Sequence, residues 1–106
     1  MIKVDSNVYS LSGLSNRIKR LNLTSREASR LQEVIMELGS IPIAQLQGRG
    51  KIHKTANSDN IYVYKVSRGL RMMLGQQKDG DQEKTVVYDV IRVPQHSLFS
   101  GHQKTK

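Results

Sequence analysis

The stretch Ile61-Tyr62-Val63-Tyr64-Lys65-Val66-Ser67-Arg68-Gly69-Leu70-Arg71-Met72-Met73-Leu74 decides how this chain folds. Apart from Lys65, its first six residues are β-branched or aromatic, as strands prefer. Ser67-Arg68-Gly69 is a compact turn in which Gly69 is expected to take a positive φ. Leu70 to Leu74 is the return strand. Asp79-Gly80 marks the next reversal. Thr85 to Val93 is a third strand, apolar enough to be central in the sheet, and Pro94 ends it because proline cannot donate to a ladder.

Upstream of this meander the periodicity becomes helical. Thr24 and Glu27 form a capping-box pattern, and Ala28, Leu31, Ile35 and Leu38 follow as one apolar stripe. Gly39 stands where a left-handed C-terminal cap would end that helix. Leu14, Ile18 and Leu21 mark a shorter helix over 11–21, with Ser10 or Ser12 to cap it. Asn22-Leu23 then makes a tight connection between two packed antiparallel helices. Ile2, Val4 and Val8-Tyr9 form a weak strand candidate. Residues 39–60 carry Gly39, Pro42, Gly48, Gly50, Asn57, Asp59 and Asn60 and read as loop, with a short strand around Lys51–Lys54. The expected fold is α+β: two N-terminal helices packed on one face of a three- to four-stranded antiparallel sheet. A single domain is expected over 1–99, followed by a flexible basic tail over 100–106.

Composition narrows the class. The 106 residues include 17 Lys or Arg, nine Asp or Glu and no cysteine, for a formal charge of +8. Disulfides, thiolate metal sites and cysteine nucleophiles are therefore excluded. No apolar run is long enough to span a membrane, and the first residues lack a signal-peptide pattern. A cytoplasmic protein with no membrane partner is expected. Residues 41–72 hold Arg49, Lys51, Lys54, Lys65, Arg68 and Arg71 against Asp59 alone. Charge concentrated in this way suits a polyphosphate, because neutralised phosphates release counterions. An acidic protein would suit the same patch.

The order of elements and the hairpin stretch together resemble the RelE/ParE superfamily of small bacterial toxins. That family shows a strand, a short Gly-containing turn, a strand opening with Arg, a polar turn and an apolar strand. Leu46-Gln47-Gly48 is similar to its segment before the hairpin, and Val86-Val87-Tyr88-Asp89-Val90-Ile91-Arg92-Val93 to its late strand. The resemblance covers most of residues 11–99. It implies one of two activities. RelE-like members are toxins that cut mRNA without metal, usually on the ribosome, whereas ParE-like members inhibit DNA gyrase. Both are usually neutralised by a cognate antitoxin. A third reading is a basic nucleic-acid-binding domain without catalysis.

Metal-free cleavage uses the RNA's own 2′-OH as nucleophile. It needs a base, cations at the phosphate and an acid for the leaving oxygen. Arg71 matches the family's strand arginine, and its planar fork suits a phosphate. The alternative for Arg71 is a surface arginine paired with a carboxylate such as Asp89. Proton transfer near neutral pH is most often histidine chemistry, which nominates His96, just past the last strand, and secondly His53. Arg92 is one position from a basic residue of the family. Arg49, Lys51, Lys54 and Arg68 are candidate phosphate contacts. Tyr62 and Tyr64 stand where RNA-cutting relatives often carry basic residues, and tyrosines stack on unpaired bases. Phe99 falls at the family's late catalytic tyrosine and has no hydroxyl. His53, His96 and His102 lack metal-ligand spacing, so no metal and no cofactor are expected.

Overall fold

The computed structural model describes residues 2–5, 7–55 and 60–93. In chain order the elements are β1 (Ile2–Asp5), β2 (Val8–Ser10), α1 (Leu14–Arg20), α2 (Ser25–Ser40), α3 (Ile43–Gly48), β3 (Ile52–Lys54), β4 (Tyr62–Ser67), β5 (Leu70–Asp79) and β6 (Gln82–Arg92). The strands form one sheet in the order β1-β2-β6-β5-β4-β3, antiparallel throughout except for the parallel β2–β6 pair. The α+β class therefore holds. The expected three- to four-stranded antiparallel sheet with two helices is corrected to six strands, mixed, with three helices. The short strand expected around Lys51–Lys54 is β3, and the single weak strand expected near the N-terminus is two, β1 and β2, of four and three residues, too few for a period-2 pattern to show where one ends and the next begins. Residues 94–99 of the expected domain, including Pro94, and the expected tail lie outside the described residues.

The helices pack on one face of the sheet. Leu31, Val34 and Leu38 of α2, Leu14 of α1, and Ile43 and Leu46 of α3 share a core with Tyr64 and Val66 of β4, Leu70, Met72 and Leu74 of β5, and Val87 and Val90 of β6. In α2 the capping box forms as expected: Thr24 Oγ1 accepts from the Glu27 amide at 3.1 Å, and Glu27 Oε1 accepts from the Thr24 amide at 3.0 Å. The helix does not end at Gly39. It continues to Ser40 and stops because Pro42 forces the preceding residue out of the helical region, with Ile41 at φ −125° and ψ 128°. The 39–60 segment also holds α3, unexpected from its glycines and Pro42. Pro42 is its N-cap, and Ile43 and Leu46 bury one face. Neither Ser10 nor Ser12 caps α1. Ser10 belongs to β2, and the N-cap is Gly13 at φ 86°.

The hairpin turns separate cleanly. Gly80 takes φ 67°, as the Asp79-Gly80 reversal requires. Gly69 does not take a positive φ, which corrects the expectation for the β4–β5 turn. There the register shifts between Lys65 and Ser67, and such a bulge adds the local twist a tight turn needs. A second irregularity lies between β5 and β6, where Met73 faces Asp89 and Leu74 faces Val87, leaving Tyr88 over. The Tyr88 ring lies on Gly75. A Cβ there would stand 2.8 Å from both the Asn60 carbonyl oxygen and the ring. Gly75→Ala is therefore expected to cost about 1–3 kcal/mol in urea denaturation, a loss that Tyr88→Ala in the same chain would only partly relieve because the Asn60 backbone remains.

Arg92, at the end of β6, fastens the sheet to the helices. It donates to both Glu27 carboxylate oxygens, at 2.9 and 3.0 Å, and to the Leu21 carbonyl at 3.0 Å. The hydrogen bond from Arg92, then the one from the Thr24 amide, hold the Glu27 carboxyl at about 2, below its ordinary 4.5. A lowered carboxyl stabilises the fold above its unfolded value and loses that contribution as the pH falls toward the folded one. Glu27→Gln keeps the capping box and removes the charge. The stability gap between the two proteins should be about 1 kcal/mol at neutral pH, allowing for the exposure of Arg92. It should close between pH 4.5 and 2 in denaturation curves, and a gap unchanged across that window would rule out the ion pair as its source.

Candidate nucleic-acid interface

Among the described residues no helix packs on the sheet face opposite α1, α2 and α3. Farther along β5 the Tyr88 ring and the Asn60 carbonyl lie over Gly75 and Val86 is fully buried, which leaves the part beside the β4–β5 turn open. Tyr64, Val66, Leu70, Met72, Leu74, Val87 and Val90 turn toward the helices, so alternation along the strands places Lys65, Arg71, Met73, Asp89 and Ile91 on the other side. Lys65 lies directly opposite Arg71, and Arg71 opposite Ile91. The next row runs His53, Val63, Met73, Asp89 across four strands. Opposed residues on one face have Cβ atoms about 5 Å apart, and like charges so placed repel. Lys65 is exposed and Arg71 half-buried. Neither forms an ion pair with a carboxylate among the described residues.

Arg71 does not pair with Asp89. Its Nη1 donates to the carbonyls of Ser67, Arg68 and Leu70 at 2.6, 3.2 and 3.1 Å, so it clamps the β4–β5 turn. The rest of the guanidinium has no acceptor among the described residues and remains available to a phosphate. Asp89 instead faces Arg17 of α1 at 3.8 Å. Arg68 is exposed in the turn itself, beside the Lys65–Arg71 pair.

The other nominated residues divide by face. Arg92 points to the helix side and is bound to Glu27, away from Arg71. Lys51 Nζ donates to Glu37 Oε2 at 2.9 Å, and the Tyr64 hydroxyl donates to Glu37 Oε1. Tyr64 is 2% exposed and so cannot stack on a base. Burial, and then its bond to Glu37, push the Tyr64 hydroxyl up to about 12. Burial by itself would raise the Glu37 carboxyl, but the bonds from Tyr64 and Lys51 outweigh it and hold the group below its ordinary range. Lys54 Nζ lies 6.0 Å from the centre of the Tyr62 ring at the β3–β4 edge. Arg49 is exposed at the C-terminus of α3. His96 and Phe99 lie outside the described residues.

The structure thus brings together Arg71, Lys65 and Arg68, with His53 diagonal to Lys65 on the same face. Lys65 was not nominated from sequence. The signal that finds it is positional: in an alternating strand it is the charged residue between two buried ones, Tyr64 and Val66. Among the described residues, no group of three or more His, Asp or Glu could hold a metal ion, and no helix is long and apolar enough to cross a membrane.

No protein-family model matches the chain, nor does any curated protein or solved structure.

Proposed function

We propose that the chain binds RNA across the open part of that sheet face and, as its likeness to RelE implies, cuts it without metal as the toxin of a toxin–antitoxin pair. The observation that supports binding is the Lys65–Arg71 pair, two cations opposed on a face whose carboxylate, Asp89, turns to Arg17 and pairs with neither. Such a pair is unfavourable in the free protein and favourable once a phosphate lies between the two heads. Arg68 extends it along the turn. In the cleavage step the 2′-oxygen attacks the adjacent phosphorus, the 5′-oxygen leaves with a proton, and a 2′,3′-cyclic phosphate remains. Arg71 and Lys65 would offset the charge that develops on the phosphate oxygens. His53 carries an imidazole to the same face, and His96 is the other nominated group for moving the protons. The proposed partners are RNA, on or off the ribosome, and a cognate antitoxin.

Binding to a fluorescent single-stranded RNA, measured against salt in EDTA, tests the reading. Each phosphate contact on a single strand contributes about −0.7 to the slope of log K against log salt. Lys65→Ala should reduce the slope by about that amount, while Arg26→Ala, an exposed change on α2, should leave it unaltered. Discrete cuts that vanish in Arg71→Ala, with the fold checked by circular dichroism, would support the nuclease. Salt-dependent binding without cuts, on free RNA and on translating ribosomes, would leave a binding domain. A slope insensitive to Lys65→Ala would remove the face from the argument.

A further inference from the structure

A cleft of about 200 Å³ lies between the C-terminus of α2 and the β5–β6 hairpin, on the helix side of the sheet and apart from the RNA face. None of its lining residues is basic, in a chain of formal charge +8. One wall is the end of α2, where the last carbonyls of a helix carry partial negative charge. These carbonyls lack donors for a covalent reason. The residue that would pair with the Leu38 carbonyl is Pro42, which has no N–H, and the chain turns extended at Ile41 before Gly39 or Ser40 can be paired. No backbone donor among the described residues reaches these three carbonyls. The last turn of α2 also carries no basic residue, the side chain that commonly neutralises such an end.

The opposite wall is the β5–β6 ladder, where Gln76 faces Thr85. Thr85 is 8% exposed and lines the cleft. Glu83 stands at the rim. Lys78 is its cross-strand neighbour but makes no ion pair with it and does not line the cleft.

We propose that this cleft binds a small organic cation, a primary alkylammonium. Its stem would lie on Ile41, Pro42 and Ile43, and its head among the α2 carbonyls, the Thr85 hydroxyl and the Glu83 carboxylate. An ammonium offers three donors and no acceptor, which complements the α2 carbonyls and the Glu83 carboxylate. A carboxylate or phosphate would meet that same charge and those lone pairs, and, hydroxyls apart, only the Asn7 and Gln76 amides among the lining side-chain groups could donate to it. At about 30 Å³ per water-sized group the cleft holds roughly six heavy atoms, the size of pentylammonium.

The test is an amide-shift titration of the whole chain by NMR with n-pentylammonium, alongside pentanoate and 1-pentanol. Saturating shifts are expected at Gly39, Ile41, Ile43, Gln76 and Thr85 with the amine, and none with pentanoate. Glu83→Gln, an exposed change, should weaken the amine by about fivefold and leave RNA binding untouched. Pentanoate or pentanol moving the same amides as strongly as the amine would overturn the proposal. So would Glu83→Gln binding the amine as tightly as the unaltered chain.

Discussion

The fold depends on the two carboxylates that α2 holds over the sheet. Glu27, in its first turn, caps the helix through Thr24 and takes Arg92 from the end of β6. Glu37, near its other end, takes Tyr64 from β4 and Lys51 from the approach to β3. Between them Arg30 donates to the Val66 carbonyl at 3.0 Å. One helix is thus tied to the middle and the far edge of a twisted sheet by directional contacts, which set its angle more narrowly than the apolar stripe alone could. The same contacts sort the cations. Lys51, Arg30 and Arg92 each meet a carboxylate of α2, whereas Lys65 and Arg71 on the opposite face meet none among the described residues.

Arginine has a second use here that net charge hides. Two strand irregularities leave carbonyls outside the regular ladder, and an arginine from a helix meets each one: Arg30 at Val66, and Arg17 at Tyr88 with a 3.1 Å bond. The Tyr88 carbonyl needs such a donor because β2 pairs with β6 only as far as Val87, so that edge of β6 then has no strand neighbour. Arg71 serves the β4–β5 turn and Arg92 the end of α1. Four of the eight arginines thus spend donors on backbone oxygens. Burying those oxygens without partners would be costly.

Sequence reading recovered what strong local signals carry. The capping box, the long helix, the β4–β5–β6 meander and the central place of β6 came from composition and period over many residues. What it missed is short or tertiary. The hairpin of β1 and β2 is stabilised by pairing with β6, a partner distant in sequence. α3 has six residues framed by Pro42 and Gly50, so turn chemistry outweighed its two buried apolar positions. Among the site residues, Arg71 was nominated because it matches the strand arginine of the RelE/ParE family, and the register sets it opposite Lys65 on the face away from the helices. That Lys51 and Tyr64 would meet on Glu37 was not, since the contacts join residues 14 and 27 positions apart. Lys65 was overlooked because strand alternation marks it only as an outward-facing residue, with no sign of what lies opposite. Only the register that sets it opposite Arg71 makes it informative.

That register also bears on how charge should be interpreted. The formal +8 of the chain, of which +5 lies between residues 41 and 72, counts Lys51 and Arg71 alike, yet one is neutralised by a carboxylate and the other is only partly engaged. What remains for a partner is the unpaired subset on the open part of that face: Lys65, Arg68 and the free edge of Arg71. A chain that elsewhere sets carboxylates against its arginines, as at Glu27 and Asp89, leaves this pair without one. Removing the repulsion would take one acidic substitution at Val63 or Ile91, the neighbours on the same face. An anionic partner supplies the missing charge without a carboxylate that would later compete with it. The one acid the register places there, Asp89, is taken by Arg17, so the proposed anion-binding role rests on Lys65, Arg68 and Arg71 having no carboxylate partner among the described residues.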